Sequence, residues 1–299
     1  MKIGAFTPPE IRAAILHENL HGNETPSERL PAMCLETAGF RVRLAAHDGR
    51  PLGSVDQRVL EPFLSRDPDA GVHDLFVVPR RVTAHFEMPQ DTPGNITGEL
   101  GDDEWRIRSH HWETYWNRRD PAVVTCDYFG SPMTLIHALR LFLAHRMLQD
   151  GRGFLLHASA AVWQNRTFVF LGHSGAGKST SAYHTPGTLL SDETVAILPG
   201  PDGRLFALGT PFGGEHFPCA EVGPDPVFLF VEKSPRNARK CLPTRNAVAR
   251  LLSQVVLFPF APLPLWDAAA EMVERILEHH AVEILEAQKD GSFWEECIP

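Results

Sequence analysis

The segment Gly172–Ser179, with the sequence GHSGAGKS, constrains this chain more than any other stretch. It fits the pattern GxxxxGK[ST], with an apolar strand pattern before it and a helical pattern after it. Glycines let the backbone N–H groups of such a loop curl around an anion, and the N-terminus of the following helix adds its dipole. The sequence therefore predicts a phosphate-binding loop whose residues are Gly172, His173, Ser174, Gly175, Ala176, Gly177, Lys178, Ser179 and Thr180.

Two side chains of this loop have the chemistry of a nucleotide site. Lys178 is expected to reach the β- and γ-phosphates of ATP, and the hydroxyl of Ser179 suits Mg²⁺. The chain has only five lysines, and one of them stands where the motif needs it. We therefore predict ATP and Mg²⁺ as cofactors. A glycine-rich turn with a chance lysine is the weaker interpretation.

An acidic pair, Asp192-Glu193, follows Ser179 by only thirteen positions. It ends the apolar segment TLLS, which predicts a strand after a short helix. We expect this strand beside the one that leads into the loop, with both carboxylates at its carboxyl end. One carboxylate can then hold Mg²⁺ together with Ser179, and the other can accept a proton from an attacking hydroxyl. The alternative is a solvated strand end.

His157 is a third candidate for the site. It lies in FLLHASAAV, and a hairpin through the turn WQNR would make this segment the neighbour of the strand that leads into the loop. An imidazole there can face the γ-phosphate and tune the pKa of a carboxylate. A histidine in a strand is otherwise more often a core residue.

The chain resembles the catalytic domain of the HPr kinase/phosphorylase family, and more closely its bacterial HPr-kinase-related members. The stretches that carry this resemblance are GFLLHASAAVWQNRTFVFLGHSGAGKSTSA, LLSDETVAI and ALGTPFGGE, within about residues 131–284. It implies that Asp192 takes the role of the catalytic aspartate and that His157 assists it. Glu193 then replaces the second acid of an Asp-Asp pair, and Glu215 matches a downstream acidic residue.

The resemblance also implies a fold and an activity. The implied fold over residues 131–299 is α/β, in the P-loop variant shared by HPr kinases and phosphoenolpyruvate carboxykinases. The implied activity is an ATP-dependent kinase that transfers the γ-phosphate to a hydroxyl, a serine of a protein or peptide. The family's docking motif for HPr is not recognisable after the acid pair, so HPr itself is not the expected acceptor. The patterns of residues 1–130 predict a mostly β, α+β domain of unknown role.

Three other functions stay open: a small-molecule kinase on the same scaffold, a nucleotide-binding regulator with little turnover, and a zinc peptidase. The peptidase rests on HENLH, His17–His21, which fits HExxH with Glu18 as the base. No HxxGxxH extension follows His21, so a third zinc ligand would have an unfamiliar spacing.

Charge and cysteine content argue against several partners and compartments. The net charge is -9 and there is no block of Lys and Arg, so nucleic acid and anionic membranes are poor partners. The five cysteines are scattered singly, which indicates free thiols. We therefore predict a cytoplasmic protein, and the resemblance adds that copies of it can form a homo-oligomer.

Overall fold

The computed structural model of the chain describes residues 33–44, 60–65, 74–88, 96–119, 122–130, 133–200, 203–214, 219–296 and 298. The chain divides into two compact units, and the main part of the second begins at Arg140. The domain boundary predicted after residue 130 stays a prediction.

A seven-stranded sheet belongs to the first unit. Its strands are β1 (Met33–Thr37), β2 (Phe40–Leu44), β3 (Leu75–Val82), β4 (Ile96–Leu100), β5 (Glu104–Ser109), β6 (Trp112–Asn117) and β7 (Val123–Phe129). Their order in the sheet is β1-β2-β3-β7-β6-β5-β4. The strands β4 to β7 form an antiparallel meander.

Two further sheets belong to the second unit. Their strands are β8 (Phe154–His157), β9 (Ser159–Trp163), β10 (Arg166–Leu171), β11 (Thr188–Ser191), β12 (Thr194–Pro199), β13 (Leu205–Leu208), β14 (Val222–Gly223), β15 (Pro226–Lys233), β16 (Ala238–Cys241) and β17 (Val282–Ala287). One sheet has the order β11-β9-β10-β15-β17-β16, and the other has the order β14-β13-β12-β8.

The described part of the chain has two helices of 17 residues and three shorter ones. They are α1 (Met133–Gln149), α2 (Lys178–Tyr183), α3 (Thr244–Leu252), α4 (Leu263–His279) and α5 (Phe293–Glu296), with a 3-10 turn at Glu61–Phe63. The helix α4 buries side chains at a spacing of three to four residues, from Leu265 to Ile276, which is the pattern of a helix with one face in the core. The predicted helices around residues 131–150 and after Lys178 are confirmed.

The centre of the six-stranded sheet is the parallel pair β10 and β15. Both strands are runs of buried apolar residues, because a strand with parallel neighbours is normally covered on both faces. Phe168 and Phe170 pack edge-on against Trp294 of α5. This aromatic cluster fixes the strand from which the glycine-rich loop leaves.

The predicted hairpin through WQNR is confirmed, since β9 and β10 pair antiparallel across it. Gln164 and Asn165 have φ of 49° and 60° at the turn. Two positive φ values in a two-residue loop are the mark of a type I′ turn, whose twist matches that of the flanking strands. The β9 strand is therefore the immediate neighbour of the loop strand.

The predicted α/β fold class, in the P-loop variant of HPr kinases and phosphoenolpyruvate carboxykinases, is wrong. The chain is mostly β, with 41% strand and 25% helix in three sheets of seven, four and six strands. The reason lies in the connections around the loop. The helix α2 has only six residues. The hairpin β9–β10 before the loop and the hairpin β12–β13 after it stand where an α/β fold would alternate strands and helices. A motif for one loop did not determine the architecture around it.

The expected position of the acid strand is also wrong in one respect. The strand β11 does not lie beside β10, because β9 lies between them and pairs antiparallel with both. Two antiparallel steps make β11 parallel to β10, so the carboxyl ends of both strands lie at the same edge of the sheet. The loop and the acid pair still meet there.

The tight start of β11 gives a first prediction. A Cβ added to Gly187 would lie 2.0 Å from the carbonyl oxygen of Val162 in β9, so backbone would have to move. We expect Gly187→Ala to lower the free energy of unfolding by about 1–3 kcal/mol, the usual effect of overpacking. Chemical denaturation of both proteins measures this.

The control is Thr188→Val, which changes the exposed next residue and keeps its β-branch. It should alter the free energy of unfolding by less than about 0.5 kcal/mol. Equal stability of Gly187→Ala and wild type would show that β11 does not approach β9 as described.

Candidate functional site

The glycine-rich loop leaves β10 after Leu171 and enters α2 at Lys178. Gly172 has φ of +142°, and a Cβ there would lie 3.0 Å from the Cβ of Ala176, so this turn requires glycine. The N–H of Ala176 donates to the carbonyl of His173 at 3.1 Å, which closes the loop on itself. The N–H of Gly172 donates to Oε1 of Gln254 at 3.3 Å. The strand, loop and helix follow one another as the motif predicts.

Lys178 is buried against this loop. Its Nζ donates to the carbonyl oxygens of Gly172 at 2.9 Å and His173 at 3.3 Å. Burial lowers the pKa of Lys178, and the negative charge of Glu193 opposes that effect. An ammonium group has three N–H donors, so two bonds to the loop leave a third for an anion. The loop therefore holds the side chain in place before any ligand binds.

Asp192 lies in the turn between β11 and β12, and it is buried. Its backbone carbonyl accepts hydrogen bonds from Oγ of Ser159 at 2.6 Å and from Oγ of Ser179 at 2.9 Å. Its carboxylate accepts one from the N–H of Gly214 at 2.7 Å, through Oδ1. Ser179 thus donates its hydroxyl proton to the backbone of the turn that carries Asp192 and Glu193. The lone pairs of its Oγ therefore stay available to a cation.

The two carboxylates converge on Gly214. A Cβ at this position would lie 3.1 Å from Oδ2 of Asp192 and 3.1 Å from Oε2 of Glu193, so a side chain here would displace them. Sequence reasoning missed Gly214, because it comes 22 positions after Asp192 and within a glycine-rich stretch. Its role depends on a contact that only the fold creates.

Glu193 is paired with a cation that the sequence did not indicate. Nη1 of Arg140, in α1, donates to Oε1 of Glu193 at 2.9 Å and lies 3.4 Å from Oγ1 of Thr194. Oε1 already accepts a charge-assisted hydrogen bond, so it is occupied by this contact. The other oxygen, Oε2, is the one that faces Gly214. These contacts favour Asp192 as the base and Glu193 as a metal ligand.

His157 lies in the cavity, but not by the route that the sequence suggested. The segment FLLHASAAV is not one strand: it divides at Ala158 into β8 and β9, which belong to different sheets. His157 ends β8 and pairs with Thr194 of β12, so its expected place in the neighbour of the loop strand is wrong. Burial lowers the pKa of His157, and the positive charge of Lys178 lowers it further. The ring is therefore neutral near pH 7.

One cavity of about 630 Å³ brings these groups together. The predicted residues that line it are His157, Ser174, Gly175, Ala176, Gly177, Lys178, Ser179, Thr180, Asp192 and Glu193. Gly172 and His173 contribute through the carbonyls that hold Lys178. The residues that sequence reasoning did not assign to the cavity are Ser181, His184, Gly214, Val231, Lys233, Ala287, Gln288, Lys289 and Phe293. The volume is within the usual range of small-molecule sites.

Two candidates of the sequence lie outside the described residues: the HENLH segment, His17–His21, and Glu215. Within the described ranges, no group of three or more His, Cys, Asp or Glu side chains is placed to hold a metal ion. The predicted metal set of Ser179, Asp192 and Glu193 contains two carboxylates, which is the number that Mg²⁺ commonly takes from protein when phosphates supply the rest.

No helix among the described residues is long and apolar enough to cross a membrane. Comparison of the sequence with protein-family models and with curated proteins found no match. The resemblance to HPr kinases therefore rests on the quoted residues alone.

The lowered pKa of His157 predicts a pH dependence of stability. Because the pKa of His157 is lower in the folded chain than its ordinary value of 6.5, the unfolded chain binds more protons at this residue as the pH falls below that value. Because the unfolded state then binds more protons, the free energy of unfolding should fall as the pH drops below that value. Replacing His157 with Gln should remove this part of the fall, measured by denaturation between pH 5 and pH 8.

The matched control is Thr188→Val, which changes an exposed residue and removes no titratable group. It should leave the slope of stability against pH unchanged. A His157→Gln variant with the same slope as wild type would contradict the described burial of the imidazole.

Proposed function

We propose that this chain is an ATP-dependent kinase that transfers the γ-phosphate to a hydroxyl group. The observation that carries the proposal is the convergence of Lys178, Ser179 and the carboxylates of Asp192 and Glu193 on one cavity. The resemblance to HPr kinases supports the same reading. The mostly β fold supports neither this function nor another, so the proposal depends on the site.

The residues present fit ATP with Mg²⁺. Nζ of Lys178 donates to two loop carbonyls and has a third N–H for a phosphate oxygen. The Ser179 oxygen and Oε2 of Glu193 would hold the metal. Mg²⁺ neutralises charge that develops on the transferred phosphoryl group. Because α2 has only six residues, the loop N–H groups and Lys178 carry more of the binding than the helix dipole does.

Asp192 is the proposed base. Its carboxylate would accept the proton of the acceptor hydroxyl while that oxygen attacks the γ-phosphorus and the bond to ADP breaks. The N–H of Gly214 orients one carboxylate oxygen, and the serine hydroxyls on the backbone carbonyl hold the turn. The neutral ring of His157 would line the path by which the acceptor enters, and it would assist Asp192 as the resemblance implies.

The acceptor in this proposal is a serine of a protein or peptide, which comes from the resemblance. A small-molecule kinase and a regulator with little turnover are the alternatives, and the transfer experiment below separates the regulator from the kinases. We also propose a cytoplasmic location, because the cysteines Cys34, Cys126, Cys219 and Cys241 are free thiols.

Nucleotide binding is tested through Lys178. Mg-ATP at about 100 times its dissociation constant should stabilise the wild type by about 2.7 kcal/mol, with a rise in melting temperature. Replacing Lys178 with Ala should remove most of that rise, because the cation that faces the β- and γ-phosphates is lost. Thermal denaturation with and without Mg-ATP measures both shifts.

Lys240→Ala is the control, since this exposed lysine of β16 pairs with Glu286 and lies outside the cavity. It should keep the wild-type shift. An undiminished shift in Lys178→Ala would refute the assignment of the loop to the nucleotide.

Chemistry is tested separately through Asp192. Asn at this position keeps an oxygen for the N–H of Gly214 but cannot accept the proton. We expect Asp192→Asn to bind Mg-ATP within a few-fold of wild type and to transfer phosphate about 10²-fold more slowly, the scale of general base catalysis. Affinity and transfer are measured side by side, with slow ATP hydrolysis as the readout where no acceptor is known.

Glu193→Gln is the comparison variant. It should mainly raise the Mg²⁺ concentration needed for half-maximal rate, as loss of a metal ligand would. Wild-type transfer by Asp192→Asn would rule out Asp192 as the base. Tight Mg-ATP binding without transfer to any acceptor in the wild type would favour the regulator.

A further inference from the structure

The segment of residues 209–214 follows β13 and reaches the cavity with its last residue. Gly214 lines the cavity and is exposed, whereas Thr210 and Phe212 are buried. The N–H of Gly214 donates to Oδ1 of Asp192 at 2.7 Å. The proposed base is therefore oriented by a backbone group at the exposed end of a segment whose first part lies in the core.

The start of this segment is fixed by close packing. A Cβ on Gly209 would lie 1.7 Å from the carbonyl oxygen of Cys219 and 2.7 Å from that of Leu190 in β11, so the backbone leaves no room for a side chain. The N–H of Cys219 donates to the same carbonyl of Leu190 at 3.1 Å. Gly209 is thus held in place, but it lies five positions before Gly214 and does not set the direction of that N–H.

The hydroxyl of Thr210 determines how the segment continues. Thr210 is fully buried, and its Oγ1 donates to the carbonyl of Thr194 at 2.7 Å. The same oxygen accepts a hydrogen bond from the N–H of Phe212 at 3.3 Å. One hydroxyl thus acts as donor and as acceptor. The first bond fastens the segment to β12, directly after the turn that carries the acid pair, and the second bends the backbone locally, as threonine hydroxyls do in turns.

Thr210 does for the carboxylate what two serines do for the backbone of the same residue. Ser159 and Ser179 hold the carbonyl of Asp192, which fixes the turn. The carboxylate lies beyond two rotatable side-chain bonds, so its direction needs contacts of its own. The N–H of Gly214 supplies one of these contacts, and Thr210 fixes the backbone that carries this N–H.

We propose that Thr210 is a positioning residue for the transfer reaction. Its hydroxyl sets the N–H of Gly214, and through it the carboxylate of Asp192, in the direction in which the base accepts a proton. The inference rests on the proposed function and assigns to it a residue that does not line the cavity. Because Thr210 acts through Asp192, its loss should slow the chemical step and leave nucleotide binding nearly unchanged.

The experiment measures kcat and the KM for ATP from the phosphate that the full chain releases from Mg-ATP. Thr210→Val keeps the branched side chain and removes both hydrogen bonds. We expect kcat to fall about 10- to 100-fold, the scale of a small misplacement of a reacting group, and KM to stay within about twofold. Thr210→Ser keeps the hydroxyl and should retain at least about half of the wild-type kcat, within the spread of a mild substitution.

A double-variant comparison tests whether Thr210 acts through the base. In the Asp192→Asn background, Thr210→Val should lower kcat by less than about twofold more, because the carboxylate that it positions is already lost. Residues that act as a unit show such non-additive effects.

The matched control is Thr167→Val. Thr167 is equally buried, and its Oγ1 donates to the carbonyl of Pro224 at 2.6 Å, near the end of β10 that lies away from the loop. Both valine variants should lower the melting temperature, since each removes the hydrogen bond of a buried hydroxyl. Thr167→Val should keep the wild-type kcat, whereas Thr210→Val should lose it.

Equal kcat in the two valine variants would overturn the inference and leave the proposed function standing. A full further loss of kcat in the Asp192→Asn background would do the same, because Thr210 would then act elsewhere. If Thr210→Val fails to fold, Thr210→Cys decides in its place, since a thiol is a weaker hydrogen-bonding group at the same position, and an unchanged kcat would count against the inference. A wild type that releases no phosphate from Mg-ATP would refute the proposed function itself, and this inference with it.

Discussion

The candidate site depends on one backbone carbonyl, that of Asp192. Two serine hydroxyls donate to it: Ser159 from β9 and Ser179 from the first turn of α2. This pair of bonds joins the acid turn to the glycine-rich loop, although the strands β11 and β10 are not neighbours. The loop and the acid pair can lie close together in sequence because a helix of six residues and a strand of four residues suffice to bring the chain back to the loop.

The charges of the site are arranged so that each buried group has a partner. Lys178 donates to carbonyls of the loop, and Glu193 accepts a hydrogen bond from Arg140. The carboxylate of Asp192 accepts one from the N–H of Gly214. Burying an ion without such partners costs several kcal/mol, so these contacts are a condition for placing a lysine and two acids in one cavity. They also give the two carboxylates different surroundings, since Oε1 of Glu193 accepts from a guanidinium and Oδ1 of Asp192 accepts from a backbone N–H.

Local patterns predicted much of this site, and long-range contacts explain what they missed. The turn at Gln164-Asn165, the loop and the strands β10 and β11 each have a signal within a few residues. The division at Ala158 has none, because the first half of FLLHASAAV pairs with β12, about 40 residues along the chain, while the second half pairs with β10 across the local turn. Arg140 lies 53 positions before Glu193, so no local pattern links them. The fold class failed for the same reason: hairpins after the loop are decided by pairing partners, not by the loop motif.

The acid pair Asp-Glu, in place of the Asp-Asp that the resemblance implies, has a physical explanation in these contacts. Glu193 uses Oε1 for the guanidinium of Arg140 and directs Oε2 toward Gly214. An aspartate is one methylene shorter, so its carboxylate would lie closer to the backbone. A longer acid beside an arginine therefore keeps a carboxylate oxygen in the cavity while its charge is shared with α1. The glutamate at position 193 and the arginine at position 140 are therefore two parts of one arrangement.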